Sequence, residues 1–255
     1  MLKIFAICMA VAAFAVSAQE FASFADMQKA GQAAEKAKDY EKMRVIYGAW
    51  YKKATSDYQK WVCVFGETKA LRQMEKYDDA LKIIDDFIAT KPNASDWAMS
   101  LFVKGLVFLS KGDINTSIKF LEESLAMQKL PGYAIEQAYR RLAELYYRTK
   151  QYDKCIDASK KVLDNPKWYR EETYYWYASS LFDLGKNDDC EKILKDALPV
   201  VKQKMLRQQI VYFYAQLLLK QDNEDDAVKY LKETVELIPK SWRADAAKKI
   251  LAEFE

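Results

Sequence analysis

The sequence of 255 residues contains no histidine. That excludes Ser-His-Asp and Cys-His catalysis, histidine-ligated zinc and any imidazole pH switch. Glycine (7 residues) and proline (5 residues) are scarce, against average usage of about 7% and about 5%. An all-β sandwich or a loop-rich enzyme needs more turn residues, so long helices with few breaks are expected. Neither sign of charge dominates, with 40 Lys+Arg against 37 Asp+Glu and a net charge of +3. That balance argues against a nucleic-acid binder working by bulk charge. There is no Gly-rich phosphate loop and no nucleophile beside an evident base. No catalytic residue, metal-ligand set or cofactor is therefore implied. What is present is 51% hydrophobic and 30% charged residues, the balance of a chain that folds and is not, taken whole, embedded in a membrane.

Residues 1–18 read as a separate object. Lys3 supplies a positive start, Ile4 to Val16 is an apolar stretch, and Val16-Ser17-Ala18 offers small residues at both cleavage-reading positions. This is the pattern of a secretory signal peptide cut after Ala18, and the stretch is shorter than the ~20 residues of a membrane span. An uncleaved anchor is the alternative. Cys8 follows the bulky Ile7, which argues against lipidation there. No later segment is long and apolar enough to span a bilayer, so the expected location is periplasmic or secreted. Cleavage leaves Cys63, Cys155 and Cys190. Three cysteines without a CxxC spacing make a poor disulfide framework or zinc site, and the expected role is as buried small apolar residues.

The body of the chain repeats. A short turn followed by an amphipathic helix carries a small residue at a fixed offset, at Met43, Ala80, Ser117, Cys155, Cys190 and Ala227. The spacings are 37, 37, 38, 35 and 37 residues, the signature of a solenoid. Pro92, Pro131, Pro166 and Pro239 each follow the second helix of a unit, where proline stops a helix. Pro199 falls nearer a helix end, which predicts a stop or kink there and an early start of the next helix around Val201. Within units, large and small residues alternate on one face. Leu101, Gly105 and Phe108 precede Ser117, Leu121 and Ser124, and Tyr174, Tyr177, Ala178 and Leu181 precede Cys190, Leu194 and Ala197. Helices pack closely where a small residue meets a large one. Paired acids at Asp78-Asp79, Asp188-Asp189 and Asp225-Asp226 open second helices, where they complement the helix dipole.

This pattern resembles the tetratricopeptide repeat (TPR) family. Val64, Thr68, Leu71, Ala80, Ile84, Phe87 and Pro92 fit the second unit, and Val211, Tyr214, Ala215, Leu218, Ala227, Leu231 and Pro239 the sixth. The first unit is degenerate: Ala30, Gly31 and Ala34 fit, while Met43 and Trp50 replace small residues. The resemblance implies an all-α solenoid of about six helix pairs over residues 19–255. The repeats fall near 24–58, 61–94, 98–131, 136–167, 171–204 and 208–239. A capping helix follows over 241–255, where Ser241 can cap the start and Ala247, Ile250 and Leu251 form an apolar stripe.

In that family the first helices line a concave groove that binds peptide or protein segments. By repeat position, the resemblance places Phe65, Lys69, Arg72, Phe102, Leu106 and Leu109 in such a groove. It adds Arg140, Glu144, Tyr147, Arg148, Tyr175, Ser179, Phe182, Tyr212 and Gln216. Aromatic residues and Arg are enriched at binding hot spots. Arg140, Glu144 and Arg148 lie at i, i+4 and i+8, so Glu144 is expected to pair with either Arg and extend both toward the groove. No asparagine occupies the slots of the chaperone-type carboxylate clamp. The reading that follows is an exported, non-enzymatic scaffold for a protein or peptide partner. A narrower alternative is a role in an envelope complex. The long repeats and the run Ile238-Pro239-Lys240-Ser241 resemble the TPR proteins of outer-membrane β-barrel assembly and of the Tol–Pal system, although the lipobox of the first and the coiled coil of the second are not seen. A histidine-independent enzyme is the remote alternative.

Overall fold

The computed structural model describes residues 21–254. The leader read over residues 1–18 lies outside the described residues. Those described form thirteen α-helices and no strand. They are α1 (Phe24–Lys36), α2 (Tyr40–Tyr51), α3 (Asp57–Gln73), α4 (Tyr77–Ala89), α5 (Ala94–Lys111), α6 (Ile114–Ala126) and α7 (Gly132–Arg148). There follow α8 (Tyr152–Leu163), α9 (Glu171–Asp183), α10 (Asn187–Ala197), α11 (Lys204–Lys220), α12 (Glu224–Leu237) and α13 (Trp242–Leu251). Odd-numbered helices open each pair and even-numbered helices close it, with α13 as a final single helix. The chain divides into two compact units after Ala134, in the first turn of α7. In the first unit α1 touches α3, and α3 touches α5; in the second α9 touches α11, and α11 touches α13. First helices therefore neighbour one another directly as well as their own partners.

One turn geometry, used six times, sets the pairing. Lys38, Glu75, Gly112, Lys150, Gly185 and Asp222 all adopt left-handed backbone, with φ from 57° to 87°. The next residue in each case (Asp39, Lys76, Asp113, Gln151, Lys186 or Asn223) donates its N–H to the carbonyl five residues back, at 2.8–3.0 Å. This reversal satisfies a carbonyl that the helix end would leave unpaired. Asp39, Asp113 and Asn223 then accept a hydrogen bond from the third residue of the helix they begin. Only two of the six turns use glycine, so the repeat is carried by position rather than by the residue the conformation favours.

The small-residue slots do what close packing requires. In the second and sixth units, Val64, Thr68, Leu71, Ala80, Ile84 and Phe87, and Val211, Tyr214, Ala215, Leu218, Ala227 and Leu231, are at most 3% exposed. Ser117 Oγ donates to the Gly105 carbonyl at 2.8 Å, and Cys190 Sγ makes the equivalent contact to Ala178 at 3.2 Å. The slot residue thus returns a hydrogen bond to the helix it packs on. Cys63, Cys155 and Cys190 are all buried and unbridged. Burial pushes the Cys63 and Cys190 thiols up to about 12. In the degenerate first unit Tyr47 takes the space that small residues leave elsewhere. A Cβ on Gly31 would lie 2.6 Å from the Tyr47 ring and one on Gly66 2.4 Å from it, so the ring sits between two helices that both need glycine.

Around Pro199 the structure differs in part from the sequence expectation. Helix α10 does stop, at Ala197, but α11 begins at Lys204 rather than near Val201. Residues 201–203 belong to no helix, and Gln203 is extended. Val201 is buried in the core, and the Lys202 and Gln203 N–H groups both donate to Glu171 Oε2 at 3.1 Å. A carboxylate from the start of α9 thus satisfies two backbone donors just ahead of α11 that have no helical acceptor.

Candidate binding site

The strongest candidate lies wholly within the second unit, on the faces of α7, α9 and α11 and the start of α13. Aromatic rings run across it in contact. Tyr152 meets Tyr147 at a centroid distance of 5.8 Å, Tyr147 meets Trp176 at 5.4 Å, and Trp176 meets Tyr175 at 4.9 Å. Tyr175 meets Phe213 at 6.1 Å and Phe213 meets Phe182 at 5.4 Å. The Lys220 ammonium stands over Phe182 at 4.3 Å. Such edge-on and tilted pairs each add about 0.5–1.5 kcal/mol beyond area burial, which stiffens the surface they form.

Two adjoining hollows open on these rings. The first, about 320 Å³, is lined by Tyr147, Tyr175, Ser179, Phe182, Asp183, Gln209, Tyr212, Phe213, Gln216, Trp242 and Arg243. The second, about 290 Å³, shares Tyr175 and Gln209 and adds Arg141, Glu144, Glu172, Trp176, Gln203, Met205 and Leu206. Gln209, Tyr212, Phe213 and Gln216 fall at i, i+3, i+4 and i+7 of α11, one helix face. Burial and then the neighbouring Asp183 carboxylate raise the Tyr147 phenol above its ordinary range. Burial raises Tyr212 too, with the Arg243 charge opposing. Neutral phenols, two amides and one charge of each sign over an aromatic floor suit hydrogen bonding and apolar anchoring. Among the described residues no group of three or more Cys, Asp or Glu is placed to hold a metal.

The structure sorts the sequence-derived groove residues. Tyr147, Tyr175, Ser179, Phe182, Tyr212 and Gln216 converge on the first hollow and Glu144 on the second. Tyr212 is only 8% exposed, so it shapes the wall with its edge. Arg140 does not pair with Glu144. Its guanidinium bonds Glu172 at 2.9 Å, lies 3.6 Å from Glu136 and covers the Tyr169 ring at 4.5 Å. It therefore ties α7 to the start of α9 rather than extending toward a partner. Glu144 pairs instead with Arg141 at 3.3 Å and Arg148 at 3.5 Å. Arg148 lines neither hollow described here.

In the first unit the corresponding positions are largely occupied. Phe102, expected in a groove, is 2% exposed. Helix α5 buries Phe102 together with Ala98, Met99, Val103 and Val107, while its Trp97 remains 41% exposed. Phe65 keeps 36% of its surface but rests on Trp61 at 5.9 Å, which itself packs on Phe87. Lys69 is paired with Glu35 at 2.5 Å. Arg72 and Leu106 are half-buried.

Sequence reasoning missed Trp176, Asp183, Gln209, Phe213, Trp242 and Arg243. A signal existed for two of them: Tyr175-Trp176 and Tyr212-Phe213 are aromatic doublets at the same repeat position. Trp242 and Arg243 were hidden in a segment that reads as a lid for the core.

Residues 132–197 match the family described as anaphase-promoting complex, cyclosome, subunit 3. No curated protein sequence matches the chain. Solved structures do. YrrB, a TPR protein described as having an unusual peptide-binding site, superposes with a TM-score of 0.62 at 14% identity, over 80% of this chain and 97% of that one. MamA from Desulfovibrio magneticus gives 0.58 at 13% identity, over 72% of this chain and 97% of its own. The C-terminal part of a TPR protein from Cytophaga hutchinsonii gives 0.59 at 15% identity, over 81% and 77%. At these identities the likeness is one of fold.

Proposed function

Because the chain adopts the tetratricopeptide-repeat fold, we propose that it is a non-enzymatic scaffold that holds a peptide segment or partner protein on the first-helix face of its second unit. The observation that carries this reading is the aromatic surface with two adjoining hollows that share Tyr175 and Gln209. Rigid aromatic side chains give large contact area at little entropy cost, which is why they dominate binding hot spots. The leader pattern in residues 1–18 supports export, to the periplasm or beyond; N-terminal sequencing of the mature chain in cell fractions checks it. A part in an envelope complex is the narrower form of the same reading.

The test removes the shared wall. Tyr175→Ala with Gln209→Ala is expected to leave the helical circular dichroism unchanged and to lower affinity for peptides selected on the wild type at least tenfold, as loss of a hot spot does. Undiminished binding by a folded double variant overturns the assignment.

A further inference from the structure

Helix α13 closes the core with one face: Ala244 and Ala247 are buried, and Ile250 and Leu251 pack beside them. Its first turn does something else. Trp242 is 64% exposed and lines the larger hollow beside Tyr212 rather than the core. It is nonetheless held in place. Its ring meets Tyr212 edge-on at 5.9 Å, and the Arg243 guanidinium stacks over it at 4.6 Å. The turn that presents the pair is fixed from beneath. Gln208, 1% exposed, shares its Nε2 hydrogens among the Thr234 carbonyl, the Ile238 carbonyl and Ser241 Oγ at 2.7–3.1 Å. Ser241 Oγ in turn accepts from the Ala244 N–H at 3.1 Å. A lid needs neither an exposed tryptophan nor an arginine laid on it.

Charge gives the hollow a direction. Among the described residues no carboxylate lies within ion-pair distance of Arg243, although it is the one cation in the lining of the larger hollow. Asp183, the one carboxylate in that lining, is hydrogen-bonded by the Tyr147 and Tyr152 phenols and belongs to the last turn of α9. Lys220 stands over Phe182, beside Asp183 in sequence. A carboxylate entering the hollow is drawn to Arg243 and repelled by Asp183, while the aromatic floor between them takes an apolar ring.

We propose that the start of the capping helix is one lip of the binding site, and that the site selects an extended acidic peptide. An aromatic side chain lies on the floor and an Asp, Glu or terminal carboxylate sits on Arg243 beside Trp242. This rests on the peptide-scaffold reading above and adds the ligand's chemistry and polarity. Gln208 is a positioning residue that holds the lip.

The experiment selects a display library of random eight-residue peptides on the full chain. Individual synthetic hits are then measured by calorimetry against the wild type, Arg243→Glu, Arg243→Lys and Trp242→Ala, with cellohexaose as a non-peptide control. Expected are hits that combine Phe, Tyr or Trp with Asp or Glu. Arg243→Glu should weaken them at least tenfold, Arg243→Lys less, and Trp242→Ala severalfold, all remaining folded well above the assay temperature. In Arg243→Glu the preference should turn toward the same peptides carrying Lys for the acid. Hits without an acid, or hits indifferent to Arg243→Glu, overturn this inference and leave the scaffold reading standing. Failure to enrich any peptide, or binding of cellohexaose in place of peptides, overturns this inference together with the peptide form of the scaffold reading.

Discussion

Phe102 in the first unit and Tyr175 in the second occupy the same repeat position, each fifteen residues before its small-residue slot. One is sealed in the core and the other forms the wall of two hollows. The backbone device around them is the same: a left-handed turn residue, a reversed hydrogen bond and a slot side chain bonded to the preceding helix. What differs is the neighbourhood. Helix α5 turns Phe102 into the core among Ala98, Met99, Val103 and Val107, whereas α9 and α11 carry rings that meet edge-on and leave space between them. Repeat position fixes where a side chain starts; the volume of its neighbours decides whether it meets protein or solvent.

The largest expected effect tests that contrast directly. Phe102→Ala should cost about 3–5 kcal/mol, the usual loss for a buried phenylalanine. Tyr175→Ala should cost about 1 kcal/mol, the scale of the ring contacts it gives up. Urea denaturation of both variants measures the difference, and equal losses would dissolve the distinction between the units.

Next in size is the Tyr47 sandwich, peculiar to the first unit. Gly66→Ala forces a Cβ against the ring and should destabilise by about 1–3 kcal/mol, although alanine is otherwise the better helix residue by about 1 kcal/mol. A second change, Tyr47→Leu, should recover part of the loss. Stabilisation by Gly66→Ala alone would contradict the packing.

The repeated turns predict smaller effects of opposite sign, both within the second unit. Gly185→Ala should cost about 1–2 kcal/mol, because an L side chain is disfavoured in left-handed backbone. Lys150→Gly should gain a few tenths of that, since relief of strain is offset by the freedom glycine adds to the unfolded chain. Thermal melting of the two variants decides whether the six turns are equivalent.

The smallest effect is a pH dependence. The folded chain holds the Cys63 and Cys190 thiols up to about 12, above the ordinary value of 9. Their contribution is complete below pH 9, where both states keep the proton. It falls as pH rises from 9 toward 12, where only the unfolded chain ionises. Stability should therefore decline through that window, and Cys63→Ala with Cys190→Ala should flatten the decline. Neither thiol should react with a labelling reagent at pH 8 without denaturant.

Much of the fold was legible because packing periodicity is written in residue size. The offset residues Ala80, Ser117, Cys155, Cys190 and Ala227 are all fully buried, as their small size and spacing imply. The start of α11 was not legible, because the carboxylate that takes the N–H groups of residues 202 and 203 belongs to Glu171, some thirty residues away. The same limit applies to the site. Tyr147, Tyr175, Phe182 and Tyr212 could be placed on one face by repeat position. Arg140 could not be assigned its partner Glu172 in place of Glu144, since a guanidinium reaches several carboxylates at once and only packing selects among them. Trp242 was hidden for another reason: its helix serves the core with one face, and the exposed face carries no repeat pattern to compare.

Site-directed photo-crosslinking tests the central claim most directly. A benzophenone side chain at Gln216 in the second unit, and separately at Phe65 in the first, is illuminated in the presence of a peptide selected on the wild type. The account predicts efficient crosslinking from position 216, suppressed by excess unlabelled peptide, and background labelling from position 65. Labelling confined to position 65, or equal and uncompetable labelling from both, would contradict it.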